Sequence, residues 1–131
     1  MADKDFRIEK DSMGELKVPS ENKWGSQTQR AVENFQISRH KMPAEFIQSL
    51  ALLKWSLASA NDELGLLSPE KAEAIKNNAL KISNGDFGDE FPVDVFQTGS
   101  GTSTNMNMNE VIANLSSNAA VSYTHLTLPT T

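Results

Sequence analysis

The clearest pattern in the chain is a stripe of apolar positions that recur at alternating spacings of three and four. Such spacing places side chains on one face of an α-helix, in the a and d geometry of helices that pack lengthwise. Pro43 suits a first helical turn, and Gly65 can adopt the left-handed conformation that ends a helix. We therefore predict a long helix of a bundle between these two residues. The stripe comprises Pro43, Phe46, Leu50, Leu53, Leu57, Ala60 and Leu64.

A second helix is predicted to begin at Ser68-Pro69-Glu70, which supplies an N-cap, a proline at the first helical position and an acid in the first turn. Asn84-Gly85 gives the usual ending. Its narrow apolar stripe consists of Ala72, Ile75, Ala79 and Ile82.

The remaining segments before residue 98 show weaker patterns. Residues 1–42 mix charges with glycine and proline, which predicts short extended pieces and turns, then a modest helix near residues 27–35. Residues 86–98 are expected to be extended, because Phe91, Val93 and Val95 alternate with other residues. The predicted fold class is mainly α, with a short extended N-terminal segment followed by helices.

Composition narrows the possible partners and compartment. The chain has 131 residues, 38% of them hydrophobic, and its 17 acidic and 12 basic residues give a net charge of −5. This acidity argues against binding to nucleic acid or to an anionic membrane surface. The absence of cysteine excludes disulfides and thiol chemistry. The apolar run 50–53 is too short to span a bilayer, so we expect a soluble, cytoplasmic protein.

The polar segment 97–105 is the main candidate for chemistry, since it leads into a helical pattern rich in asparagine. Gly99 and Gly101 permit close backbone approach, and the first turn of the following helix offers N–H donors that attract carboxylate or phosphate. In that helix one face is polar and another is apolar. The polar positions are Asn107, Glu110 and Asn114, and the apolar ones are Met108, Val111, Ile112 and Leu115.

Two readings of the glycine-containing segment remain open on spacing alone. Flexible turns that bind nothing use the same residues. A Walker-type phosphate loop needs Lys and then Ser or Thr after its last glycine, whereas Thr102 and Ser103 follow Gly101 here. The missing lysine argues against a nucleotide ligand.

Several motifs, taken in order along the chain, resemble the amino-terminal part of class II fumarases in the fumarase/aspartase superfamily. The Trp24–Arg30 run resembles the fumarase version more than the aspartase version, whereas the Gly-Thr-Ser-Thr-Asn-Met-Asn run is shared more widely. The matching runs are Arg7–Gly14, Val18-Pro19, Trp24–Ala31, Glu33–Phe35, Ile37-Ser38, Asn61 with Leu64-Gly65, and Phe91–Asp94 continuing to Asn114.

The resemblance implies the N-terminal domain of a lyase that reversibly hydrates fumarate to (S)-malate in the tricarboxylic acid cycle. In that family the enzyme is a homotetramer and needs no cofactor or metal. The implied alternatives are an aspartate ammonia-lyase-like member of the superfamily and a non-catalytic helical assembly piece. The family's catalytic histidine and serine lie in later sequence, so we expect this chain to carry no catalytic residue and to be inactive alone.

The resemblance also assigns roles to residues of the polar segment. Ser100, Gly101 and Thr102 match the positions that bind a substrate carboxylate, and Asn105, Asn107 and Asn109 are expected to support the loop and helix. Arg7 and Arg30 are expected to be structural, and His40, in a charged turn, does not match the catalytic histidine.

The resemblance ends at Asn114. We expect residues 1–114 to be a truncated lyase N-terminal domain and residues 115–131 to be a non-native tail. Residues 122–131, which include His125, resemble translated adapter or assembly sequence, and the alternative is a divergent native helix end. Ser116-Ser117-Asn118 resembles a downstream substrate-binding motif but follows the asparagine-rich helix too closely to be given that role.

Overall fold

The computed structural model describes residues 5–119, which form a β-hairpin followed by four α-helices. The prediction of a mainly α fold with an extended N-terminal segment is confirmed. Among the described helices, none is long and apolar enough to cross a membrane. The elements are β1 (Phe6–Asp11), β2 (Gly14–Pro19), α1 (Ser26–Asn34), α2 (Ala44–Glu63), α3 (Pro69–Ser83), a 3₁₀ turn (Gly88–Glu90) and α4 (Thr102–Ala119).

The hairpin is antiparallel and is tied to α1 by an ion pair. Its register pairs Asp11 with Gly14 at the turn, where Gly14 has a φ of 114°. Arg30 of α1 donates from Nε and Nη2 to the Asp11 carboxylate at 2.8 Å each, and from Nη2 to the Gly14 carbonyl at 3.0 Å. This bidentate geometry holds the first helix against the hairpin turn.

The hydrophobic core forms where α2, α3 and α4 meet. The predicted apolar stripe of α3 is confirmed, because Ala72, Ile75, Ala79 and Ile82 are all buried. The predicted apolar face of α4 is confirmed as well, with Leu115 partly buried against the core. The fully buried residues of that face are Met108, Val111 and Ile112.

Helix α2 has the predicted span, but its core face differs from the predicted stripe. Phe46, Leu53 and Leu64 of the stripe are 46%, 48% and 70% exposed. The buried side chains are instead Ile47, Ala51, Lys54 and Ala58, and burial lowers the pKa of Lys54. The small Ala51 and Ala58 on the buried face favour close helix packing, so Phe46, Leu53 and Leu64 face outward while Leu50 packs partly buried against the core.

The segment 86–98 is less regular than predicted. Phe91 and Val93 are buried, but the segment contains a 3₁₀ turn and only an isolated bridge between Lys41 and Asp94. Groups from elsewhere in the chain form hydrogen bonds with its polar groups in place of a neighbouring strand. The Asn107 amide donates to the Glu90 carbonyl at 2.9 Å, and the Glu90 carboxylate accepts from the Lys23 N–H at 2.5 Å.

Helix α4 continues past Asn114 to Ala119, and Ser116 is buried. The Asn78 amide of α3 donates to the Ser116 hydroxyl at 3.3 Å. The adapter-like residues 122–131, with His125, lie outside the described residues.

Candidate functional site

The predicted carboxylate-binding residues lie together at the amino end of α4, which begins at Thr102. Gly99 and Gly101 have φ values of 60° and 86°, a left-handed conformation that glycine adopts without steric cost. Ser100 and Thr102 are exposed. Within residues 5–119 neither hydroxyl has a hydrogen-bond partner, so both are available to an external acceptor.

The first turn of α4 also has backbone donors at its open end. The Thr104 N–H donates to Gln97 Oε1 at 2.8 Å, and the Asn105 N–H donates to the Gly101 carbonyl at 3.0 Å. The N–H groups of Thr102 and Ser103 are left at the end of the helix, and no acidic residue occupies this turn. The positive end of the helix dipole is therefore open to an anion.

Gln97 closes the base of this loop. Its Nε2 donates to the Asp94 carbonyl at 2.8 Å, and its Oε1 also accepts from the Thr104 hydroxyl at 2.9 Å. Thr104 is 2% exposed, so these bonds join the loop to the protein interior.

Asp94 in turn anchors the chain just before the loop. Its carboxylate accepts from the Phe96 N–H at 2.9 Å, from the Ser38 hydroxyl at 2.9 Å and from the Ser38 N–H. Burial acts to raise the pKa of Asp94, but these hydrogen bonds outweigh it and the pKa lies below its ordinary value. Asp94 is therefore an ionised anchor.

The asparagines predicted to support the site have different environments. Asn107 is 1% exposed, and its side-chain amide donates a hydrogen bond to the Glu90 carbonyl. Asn105 is half-buried in the first turn. Asn109 is buried, and its amide nitrogen lies 3.9 Å from the Met106 sulfur. Among the described residues its Oδ1 has no hydrogen-bond partner. Their supporting role toward a bound ligand stays a prediction.

Glu110 has a role that the sequence reasoning missed. Its carboxylate accepts from the N–H groups of Gly25, Gln27 and Thr28 at 3.1, 2.9 and 2.8 Å, and from the Thr28 hydroxyl at 2.5 Å. Glu110 of α4 is thus the N-terminal cap of α1, whose own N-cap residue, Gly25, has no side chain. A Cβ on Gly25 would lie 2.8 Å from Glu110 Oε2.

A signal for this contact was present in the sequence. Helix α1 has no acidic residue in its first turn and glycine at its N-cap, while Glu110 lies on the polar face of α4. An uncapped helix start calls for a carboxylate from elsewhere in the chain.

The other candidates take structural or surface positions, as expected. The guanidinium of Arg7 donates to the carbonyls of Pro19 at 3.0 Å, Asn22 at 2.6 Å and Trp24. Arg30 is committed to Asp11, and His40 is exposed. Within residues 5–119, no cluster of three or more His, Asp or Glu side chains could hold a metal ion.

The arrangement supplies donors for a carboxylate and no proton-transfer group. Residues 97–105 contain hydroxyl, amide and glycine residues, and none of their side chains titrates near neutral pH.

Comparison with known proteins places this geometry in context. The profile of a family described as lyase matches residues 14–128. The class II fumarate hydratase of Mycobacterium tuberculosis (strain ATCC 25618 / H37Rv) is 54% identical over 116 residues, which are 88% of this chain and 24% of that protein. The chain spans about a quarter of the length of the curated relatives it matches.

Solved structures agree with the sequence comparison. Recombinant class II fumarase from Schistosoma mansoni has a TM-score of 0.87 and 36% identity, covering 96% of this chain and 27% of that chain. Fumarate lyase:delta crystallin from Brucella melitensis in native form has a TM-score of 0.85 and 42% identity, covering 88% of this chain and 27% of that chain. The resemblance inferred from the motifs is confirmed.

Proposed function

The chain belongs to the lyase family, and on that premise we propose that it supplies a carboxylate-binding loop to an enzyme that reversibly hydrates fumarate to (S)-malate. The ligand-binding residues of the proposal are Ser100, Gly101 and Thr102, supported by Asn105, Asn107 and Asn109. The alternative substrate is aspartate, handled by an ammonia-lyase of the same superfamily.

One observation carries the proposal. The hydroxyls of Ser100 and Thr102 are exposed and, within the described residues, unpaired, and they stand beside the open N–H groups at the start of α4. Hydroxyls and backbone N–H groups suit a carboxylate because they donate hydrogen bonds to its charged oxygens. The absence of lysine in residues 97–105 favours a carboxylate over a nucleotide phosphate.

In the proposed reaction, a base outside this chain removes the proton next to one malate carboxylate. The resulting intermediate carries extra negative charge on that carboxylate, so donors fixed before the reaction stabilise it. An acid then assists the departure of hydroxide. This chain contributes donors, and the complete enzyme is proposed to be a cytoplasmic homotetramer that assembles the remaining groups.

The test is an exchange enzyme, in which residues 6–114 of this chain replace the matching segment of the Mycobacterium tuberculosis fumarate hydratase. We expect it to hydrate fumarate and to leave aspartate unchanged. Ammonia release from aspartate without fumarate hydration would favour the alternative. A folded exchange enzyme with neither activity would contradict both.

A further inference from the structure

We infer that Gln97 is a positioning residue, which sets the geometry of the carboxylate-binding loop without touching the ligand. This inference rests on the proposed function, and it concerns a residue outside the predicted ligand-binding set. Gln97 lies at one end of the segment 98–103 and Thr104 at the other, and the Gln97 side chain joins them directly.

The loop needs such a restraint because its own residues restrict its conformation little. Gly99 and Gly101 both have positive φ, and glycine has the largest conformational freedom of any residue. Ser100 and Thr102 are exposed and have no partner among the described residues. The position of their hydroxyls therefore depends on how the two ends of the loop are held.

Gln97 holds both ends with three hydrogen bonds to well-fixed groups. Its Nε2 donates to the carbonyl of Asp94, whose own carboxylate is held by Ser38 and Phe96. Its Oε1 accepts from the N–H and hydroxyl of Thr104, a buried residue of α4. The loop is thereby fixed relative to both the preceding segment and the helix.

The same contact also selects which helix donors face the ligand. An N-cap side chain normally accepts from the second or third N–H of a helix. Gln97 accepts from Thr104, the third residue of α4, and so acts as a cap from outside the helix. The N–H groups of Thr102 and Ser103 stay at the open end.

The test uses three variants of the exchange enzyme. Gln97→Met keeps the length of the side chain and removes all three hydrogen bonds. Gln97→Asn keeps the uncharged amide but shortens the side chain by one methylene, so it cannot reach both Asp94 and Thr104. Gln36→Met is the matched control, because Gln36 is exposed and its Nε2 donates only to the Glu33 carbonyl at 3.0 Å.

We expect Gln97→Met to raise the KM for malate by about ten- to a hundredfold, because a displaced donor weakens carboxylate binding. Gln97→Asn should give an intermediate KM, and the helix contents of Gln97→Met and Gln36→Met, measured by circular dichroism, should agree. A KM for folded Gln97→Met within about twofold of the control overturns the inference. If Gln97→Met does not fold, the KM of Gln97→Asn decides in the same way.

A second measurement separates this inference from the proposed function. If the unmodified exchange enzyme folds without activity, the proposed function fails, and amide hydrogen exchange of Thr104 in the 131-residue chain then decides about Gln97. Faster exchange in Gln97→Met than in Gln36→Met supports the positioning role. Equal exchange rates overturn it.

Discussion

Thr102 offers the most direct test of the ligand-binding loop, because its exposed hydroxyl has no partner within residues 5–119. A hydrogen bond to a charged group contributes roughly 1.5–3 kcal/mol. We therefore expect Thr102→Ala in the exchange enzyme to lower kcat/KM by about ten- to a hundredfold, measured by steady-state kinetics on malate. Helix content should not change.

His40→Ala serves as the control for this measurement, since the His40 side chain is exposed and the variant keeps the backbone carbonyl that accepts from the Val95 N–H at 3.0 Å. Its kcat/KM should equal that of the unmodified exchange enzyme. If His40→Ala lost activity while Thr102→Ala kept it, the proposed binding role of the loop would be wrong. The loop would then be a turn that binds nothing.

Gly25 should be the glycine most sensitive to added volume, because its backbone runs directly beside the Glu110 carboxylate. In Gly25→Ala the new Cβ would lie 2.8 Å from Glu110 Oε2. We expect a loss of about 1–3 kcal/mol in the free energy of unfolding, measured by urea denaturation. Gly88→Ala is the matched control, since no atom within 4 Å opposes its Cβ. Equal stabilities for the two variants would contradict the close-approach explanation.

Asp94 should make stability depend on acid pH. Its pKa is below the ordinary value in the folded protein, so its contribution is fully present above the unfolded-state pKa of roughly 3.9. That contribution is lost as the pH falls through the lower folded-state pKa. Asp94→Asn should therefore lower the free energy of unfolding at neutral pH, and the difference from the unmodified chain should shrink below about pH 4. A difference that stays constant with pH would refute this assignment.

At the scale of elements, α2 has an exposed apolar face. Phe46, Leu53 and Leu64 lie on it, and exposed apolar patches of this kind associate. We expect the 131-residue chain to self-associate. Leu53→Glu should shift the sedimentation coefficients, measured by analytical ultracentrifugation, toward the value of the monomer. The helix content by circular dichroism should be unchanged.

Asn77→Glu adds the same charge at an exposed position of a different helix, α3. It should leave self-association as it is. If Asn77→Glu dissociated the assemblies as well as Leu53→Glu, the added net charge and not the apolar face of α2 would explain the effect.

The helices could be predicted from the sequence because their signals are local. Ser68 and Pro69 begin α3, and Gly65 has the left-handed conformation predicted for the end of α2. Apolar periodicity located the buried faces of α3 and α4. The orientation of α2 could not be predicted, since apolar residues occupy more than one of its faces. Periodicity does not show which face a neighbour within the chain will cover.

The side-chain contacts that shape the candidate site follow no periodic pattern, whether they are local like those of Gln97 or distant like those of Glu110, and the sequence analysis missed them for that reason. Gln97 was recognised only as the first residue of a polar segment, and Glu110 only as a member of a polar helix face. Their partners lie at residues 94, 104 and 25–28, and no periodic pattern records such pairings. The motif resemblance identified the loop but not the side chains that hold it in place.

For the whole molecule, the described residues contain a donor loop but no partner for proton transfer at that loop. General acid–base groups typically contribute about 10²–10⁴-fold each. We therefore expect the purified 131-residue chain to show no hydration of fumarate above the buffer rate, monitored by the absorbance of fumarate. Hydration of fumarate by this chain alone would contradict the need for an acid and a base from outside it.

The capping of α1 by Glu110 has a consequence for the order of events during synthesis. Residues 25–28 leave the ribosome long before residue 110, so the start of α1 lacks its carboxylate partner while α2 and α3 are being made. Closing so long a loop is slow compared with pairing neighbouring helices. We therefore expect the α2 and α3 pair to form first, and the N-terminal hairpin with α1 to join the fold after α4 has emerged.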